Sequence, residues 1–174
     1  VFIVGAGETG TLTLKSLVKK GCENIVITNR TMEKAQALAD KYQVKSLPFS
    51  QLEVQLQFSD IVIVSTGSQH ALINKEMVER ANKQRANKKQ LFIDLSVPRN
   101  VSHCVDEIEN TVVYDVDDLQ EIVIANQEKR KKMVAKSENI VNEYVEEFSD
   151  WLSTRNLSSL IAVIKTNFST VNQS

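Results

Sequence analysis

Gly5, Gly7 and Gly10 stand in "GAGETG", directly after the apolar run "VFIV", at the spacing GxGxxG. Each glycine has its own task in dinucleotide chemistry. The first allows a tight turn, the second lets backbone approach a pyrophosphate, and the third lets helix and strand pack closely, while free N–H groups at the helix start hold the phosphates. The bare spacing also occurs in plain structural turns. Between a strand and a helix, with a second strand at the right distance, it points to dinucleotide binding and makes Gly5, Ala6, Gly7, Glu8, Thr9 and Gly10 the candidate phosphate cradle.

The end of the second strand selects between cofactors. A site for NAD carries Asp or Glu there, about 20 residues after the glycines, to bind the ribose hydroxyls. Here the sequence is "TNRT", with Asn29, Arg30 and Thr31. A guanidinium and a hydroxyl suit a 2′-phosphate, and no carboxylate repels it, so NADP(H) is expected over NAD(H). Three further stretches fall where an open α/β sheet delivers residues to its ligand crevice. These are "STGSQH" (Ser65, Thr66, Gly67, Ser68, then His70), "DLSVPRN" (Asp94 to Asn100) and "YDVDDL" (Tyr114 to Leu119). His70 is a weak candidate base, since a loop histidine is more often an ordinary polar residue. Arg99, after Pro98, is either a functional contact or a surface arginine.

Those residues need a scaffold, and the rest of the sequence describes one. "VFIV" (1–4), "IVIT" (25–28), "IVIVS" (61–65), "LFIDL" (91–95) and "TVVYDV" (111–116) are nearly continuous apolar runs, as strands covered on both faces should be. "VKSLPF" reads as a weaker edge strand, because Pro48 cannot donate to a central ladder. Between the strands, Met32, Ala35, Leu38, Ala39 and Tyr42 recur at helical spacing, with Thr31 positioned as the cap. Helices are also expected over 11–20, 51–57 and 74–83. Strand and helix in alternation predict an α/β fold, a doubly wound parallel Rossmann-type sheet of five or six strands, over residues 1–116.

After Val116 the pattern changes. Residues 117–154 contain no Gly or Pro and predict one helix of roughly 55 Å, too long to pack on a single small domain. Its apolar residues form two groups, Leu119, Ile122 and Val123, then Ile140, Val141, Tyr144, Phe148, Trp151 and Leu152, separated by the polar "NQEKRKK". Residues 155–174, with Leu157, Leu160, Ile161, Ile164, Phe168 and Val171, repeat the helical spacing and predict a partial helical dimerisation region. Two helices bury too little to stand alone, so a second copy of the same helices is the simplest partner.

Composition narrows the class. Twenty-one basic and twenty-two acidic side chains leave a net charge of −1, which is no overall nucleic-acid footprint. A local exception is "RANKQRANKK" (Arg80 to Lys89). Cys22 and Cys104 have neither CxxC nor Cys/His ligand spacing, so no disulfide framework or metal site is indicated. Cys104 lies beside His103, yet sequence neighbours rarely face each other as nucleophile and base. No apolar run reaches the ~20 residues of a membrane helix, and no signal segment is seen, so a cytoplasmic setting is expected. The chain opens without Met inside its first strand, and an N-terminal neighbour is expected to be missing.

Taken together, "GAGETG", "NRT", "STGS" with a following His, "DLSVPRN", "YDVDDL" and the long helix closely resemble glutamyl-tRNA reductases over almost the whole chain; "DLSVPRN" and "YDVDDL" are the specific matches. The resemblance implies a V-shaped homodimer of catalytic, NADPH-binding and dimerisation domains along a spinal helix. In that family a cysteine of the N-terminal domain attacks the glutamyl ester of charged tRNA, and NADPH reduces the thioester to glutamate-1-semialdehyde for tetrapyrrole (porphyrin) synthesis. The resemblance also implies glutamyl-tRNA as a partner, glutamate-1-semialdehyde aminomutase as a further one, and Ser65 to Ser68 along the nicotinamide side. Without the N-terminal domain, this chain is expected to bind NADPH and to catalyse nothing alone. Two other readings stay open: a shikimate-dehydrogenase-like NADP oxidoreductase, whose glycine loop usually reads GAGGA, and a non-enzymatic NADP-sensing scaffold.

Overall fold

A computed structural model describes the backbone of residues 1–86 and 88–171, with side chains except those of residues 135, 155–163 and 165–171. Six strands, β1 (Phe2–Val4), β2 (Val26–Asn29), β3 (Lys45–Pro48), β4 (Ile61–Val64), β5 (Gln90–Asp94) and β6 (Thr111–Tyr114), form one sheet in the order β3-β2-β1-β4-β5-β6. Every pairing is parallel; Ile3 lies opposite Ile27 on one side and Ile63 on the other. The crossovers carry α1 (Glu8–Lys19), α2 (Met32–Tyr42), α3 (Leu52–Leu56) and α4 (Lys75–Gln84).

Period-two alternation divides the buried residues between two faces. Phe2 and Val4 join Leu56, Val62, Val64, Val78 and Phe92 on one side, whereas Ile3 and Ile27 pack with Leu14, Ala35 and Ala39 on the other. Each large side chain fully withdrawn from water contributes about 1.5–3 kcal/mol, so both layers are needed. Covering both faces explains why the central strands read as unbroken apolar runs. The edge position of β3 agrees with Pro48 at its last residue.

Several boundaries differ from the sequence expectation for identifiable reasons. The first helix begins at Glu8, not Thr11, because it starts immediately after the glycine turn, where apolar periodicity is silent. The stretch expected as a helix from Gln51 is a 3-10 turn over Phe49–Gln51 followed by the short α3. Thr31 occupies the cap position of α2, but its side chain makes no capping bond; Asn74 does cap α4, accepting from Met77 N at 3.0 Å. The last helix, α5 (Val116–Val171), runs on past Thr154, where the sequence reading placed the start of a second helical segment, because the stretch contains no Gly or Pro to end it.

Contacts divide the chain into two compact units, Val1–Glu121 and Ile122–Ser174. In the second unit Val141, Tyr144, Phe148, Trp151, Leu152 and Ile164 are exposed. The side chains of Leu157, Leu160, Ile161, Phe168 and Val171, expected to continue that apolar pattern, lie outside the described residues. Among the described residues no helix is long and apolar enough to cross a membrane.

Candidate dinucleotide site

In the first unit, strand order reverses between β1 and β4, and crevices in open parallel sheets form at the carboxyl ends of such strands. A cleft of about 310 Å³ lies there, lined by Gly5, Ala6, Gly7, Asn29, Arg30, Thr31, Lys34, Phe49, Ser65, Thr66, Gly67, Ser68 and Leu72. Ten of the thirteen were expected from sequence. Glu8 and Thr9 are exposed in the first turn of α1, outside that lining, and Gly10 is buried beneath the turn.

The glycines perform different tasks. Gly5 adopts φ +117, and a Cβ there would lie 2.1 Å from Ser65 O. A Cβ on Gly10 would lie 2.3 Å from Gly5 O and 2.9 Å from Ser65 Oγ, so these two positions require glycine for packing alone. At Gly7 a Cβ would meet nothing within 4 Å, and the same holds at Gly67. Both line the cleft, so the room beside them is open for a ligand. α1 starts at Gly7 without a side-chain cap, leaving N–H groups of its first turn for an anion. Ser65 Oγ is buried with no hydrogen-bond partner, a polar group facing the junction of the two loops.

Asn29, expected as a phosphate ligand, lines the cleft and also braces it. Its Oδ1 accepts from Ala6 N at 3.2 Å and its Nδ2 donates to Thr31 O at 3.1 Å, so the side chain ties the glycine turn to the end of β2. Arg30 is exposed at the mouth, and Lys34, one helical turn further on, joins it in the lining. Among the described residues neither cation is in an ion pair. Lys34, in the first turn of α2, carries no sequence signal beyond standing four residues after Arg30. Phe49, just past the edge strand, and Leu72 carried no sequence signal.

Across the cleft from Arg30, the loop after β4 is held by the loop after β5. Thr66 N donates to Ser96 Oγ at 3.1 Å, and Asn100 Nδ2 donates to Ser68 O at 2.9 Å. The remaining candidates stand aside. His70 is exposed and outside the lining, contributing backbone atoms to the loop. Arg99 forms an ion pair with buried Asp115 and lies 3.0 Å from His103 Nδ1, so it links the β5 loop to the residue preceding α5. Cys22 is half-buried against the core and Cys104 is exposed; neither lines the cleft. Within the basic stretch, Arg80 pairs with Glu53 and buried Arg85 with Asp60, while Lys83, Lys88 and Lys89 face water.

Comparison with known proteins agrees with this geometry. Residues 1–122 match the family described as shikimate / quinate 5-dehydrogenase. The glutamyl-tRNA reductase of Thermodesulfovibrio yellowstonii is 38% identical over 173 residues, 99% of this chain and 40% of that protein. The Bacillus cereus protein of the same name is 37% identical over 165 residues, 95% of this chain and 37% of its own length. The solved structure titled glutamyl-tRNA reductase from Methanopyrus kandleri gives a TM-score of 0.71 at 36% identity, covering 90% of this chain and 40% of that one. The chain thus spans at most 40% of these relatives. The near end-to-end likeness is to proteins carrying that name, which favours it over the shikimate-dehydrogenase-like alternative. On these grounds the chain belongs to the shikimate / quinate 5-dehydrogenase family.

Proposed function

We propose that this chain is the NADPH-binding part of a glutamyl-tRNA reductase, with residues 1–116 as cofactor domain, 117–154 as spinal helix and 155–174 as the start of a dimerisation region. The observation that carries the cofactor reading is the pair Arg30 and Lys34 beside a cleft whose β2 end bears no carboxylate. Two cations at one mouth suit a 2′-phosphate, and each charge-assisted contact is worth about 1.5–3 kcal/mol. The uncapped start of α1 and the open space at Gly7 suit a pyrophosphate. Ser65, Thr66, Gly67 and Ser68 then face the nicotinamide half, because β4 lies on the far side of β1 from β2.

Bound there, NADPH would supply the hydride that reduces a glutamyl thioester to glutamate-1-semialdehyde. The chain's own residues bind and orient; Cys22 and Cys104 lie outside the cleft lining, so the attacking thiol is assigned to the catalytic domain of the complete protein. The same reading makes glutamyl-tRNA the substrate, a second copy the partner of the C-terminal helices, the aminomutase the recipient of product, and the cytoplasm the setting. Calorimetric titration tests it. NADPH should bind at least about tenfold tighter than NADH, and Arg30→Asp should reverse that order. Equal affinities in the unaltered chain would refute the assignment. The chain alone should leave NADPH unoxidised when glutamyl-tRNA is added.

A further inference from the structure

Asn100 is fully buried, and every polar atom it owns is engaged. Its backbone N–H donates to Asp94 Oδ2 at 2.6 Å, and its carbonyl accepts from Leu72 N at 2.7 Å and Ile73 N at 3.1 Å. Its side-chain Oδ1 accepts from the Thr66 hydroxyl, and Nδ2 faces three carbonyls, Ser68 O at 2.9 Å, His70 O at 3.2 Å and Pro98 O at 3.3 Å. Three acceptors on one side and a hydroxyl on the other leave a single sensible orientation of the amide. Beneath it, buried Asp94 shapes the β5 loop by accepting also from Ser96 N at 3.0 Å and Val101 N at 2.8 Å. Ser96 in turn holds Thr66 N, and the Thr66 hydroxyl accepts from Ser68 N at 3.1 Å.

These bonds, donated in both directions, tie the β5 loop to residues 66–72, a strandless stretch bearing Gly67. Resting on the cofactor reading above, we propose that Asn100 is a positioning residue for the nicotinamide half of the site. It holds the wall formed by Thr66, Gly67 and Ser68 without lining the cleft itself. An aspartate there would lack the amide donor and would sit close to the Asp94 carboxylate. An alanine would leave buried carbonyls unpaired and the wall free to move. The adenosine end, built on β2 and α2, does not touch this network.

That asymmetry sets the test. The full chain and Asn100→Ala are titrated with NADPH and with adenosine 2′,5′-bisphosphate, which has no nicotinamide, and the fluorescence of the reduced nicotinamide is recorded alongside. Asn100→Ala should weaken NADPH at least about tenfold and return its bound fluorescence toward that of free cofactor, while the bisphosphate stays within about twofold. Loss of both ligands in equal measure by a folded variant, or of neither, would overturn the inference. If Asn100→Ala fails to fold, Ser96→Ala carries the test: a selective loss of NADPH supports the proposal and unchanged NADPH binding overturns it. An unaltered chain that binds neither ligand would overturn the cofactor reading itself, and this inference with it.

Discussion

Glycine is required at Gly5 and Gly10 by packing within the protein, whereas at Gly7 the space is open and the requirement proposed is that of the ligand, so substitution separates the two demands. A methyl group at Gly10 must displace the Gly5 carbonyl, 2.3 Å from the new carbon, which is backbone and cannot swing away. Gly10→Ala should therefore lower stability by about 1–3 kcal/mol, read as a lower midpoint in denaturant. Gly7 has φ −77 and open space, so Gly7→Ala should melt within about 0.5 kcal/mol of the parent yet bind NADPH at least about tenfold more weakly. A folded Gly7→Ala chain with parental affinity would remove the pyrophosphate from this turn. The sequence pattern names all three glycines alike, because a motif records spacing and not neighbours. Arg30 was legible as a candidate for a different reason: a cation where an NAD site carries a carboxylate needs no three-dimensional context. Asn100 was not, since its partners lie about thirty residues away and nothing local marks them.

The elements were more legible than their ends. Apolar runs predicted five of the six strands, because buried strands have little polar alternation to confuse the reading, while β3, partly exposed, was legible only as a weak edge strand. The start of α1, which has no side-chain cap, was missed, whereas α2 starts where Thr31 marks it although that side chain makes no capping bond. α5 begins with a reciprocal capping pair: Asp115 N donates to Asp118 Oδ2 and Asp118 N to Asp115 Oδ1, both at 2.9 Å. Asp118→Ala should cost about 0.5–2 kcal/mol, measured by chemical unfolding. At the other end of the sheet, the Arg85 guanidinium on Asp60 holds that carboxyl below its ordinary pKa and ties the end of α4 to the turn before β4. A depressed carboxylate contributes stability above its unfolded pKa, near 3.9, and loses it as pH falls through the folded value. Asp60 is largely exposed, so the contribution stays below about 1 kcal/mol. Melting temperature against pH should fall less steeply below about pH 4 in Asp60→Asn than in the parent; identical slopes would show that the pair is energetically silent.

At the scale of the whole molecule, the two units obey different rules. The first closes its apolar surface on itself, in two layers around the sheet. The second leaves an apolar stripe in water: Val134, Val141 and Phe148 are spaced by sevens, as are Tyr144 with Trp151 and Val145 with Leu152, and all are exposed. A seven-residue repeat is the pattern of helices that pack against other helices, and the stacked rings of Phe148 and Trp151, 5.7 Å apart, enlarge the patch. Soluble monomers rarely carry contiguous apolar patches above a few hundred Å². The chain should therefore sediment as a dimer, and introducing a charge with Phe148→Asp should give a monomer. Because the cofactor cleft is built entirely from residues before Glu121, the monomeric variant should keep NADPH affinity within about twofold. A parent chain that stays monomeric at high concentration would end the dimer proposal. A Phe148→Asp chain that lost both its partner and its cofactor would instead mean that the cleft depends on assembly.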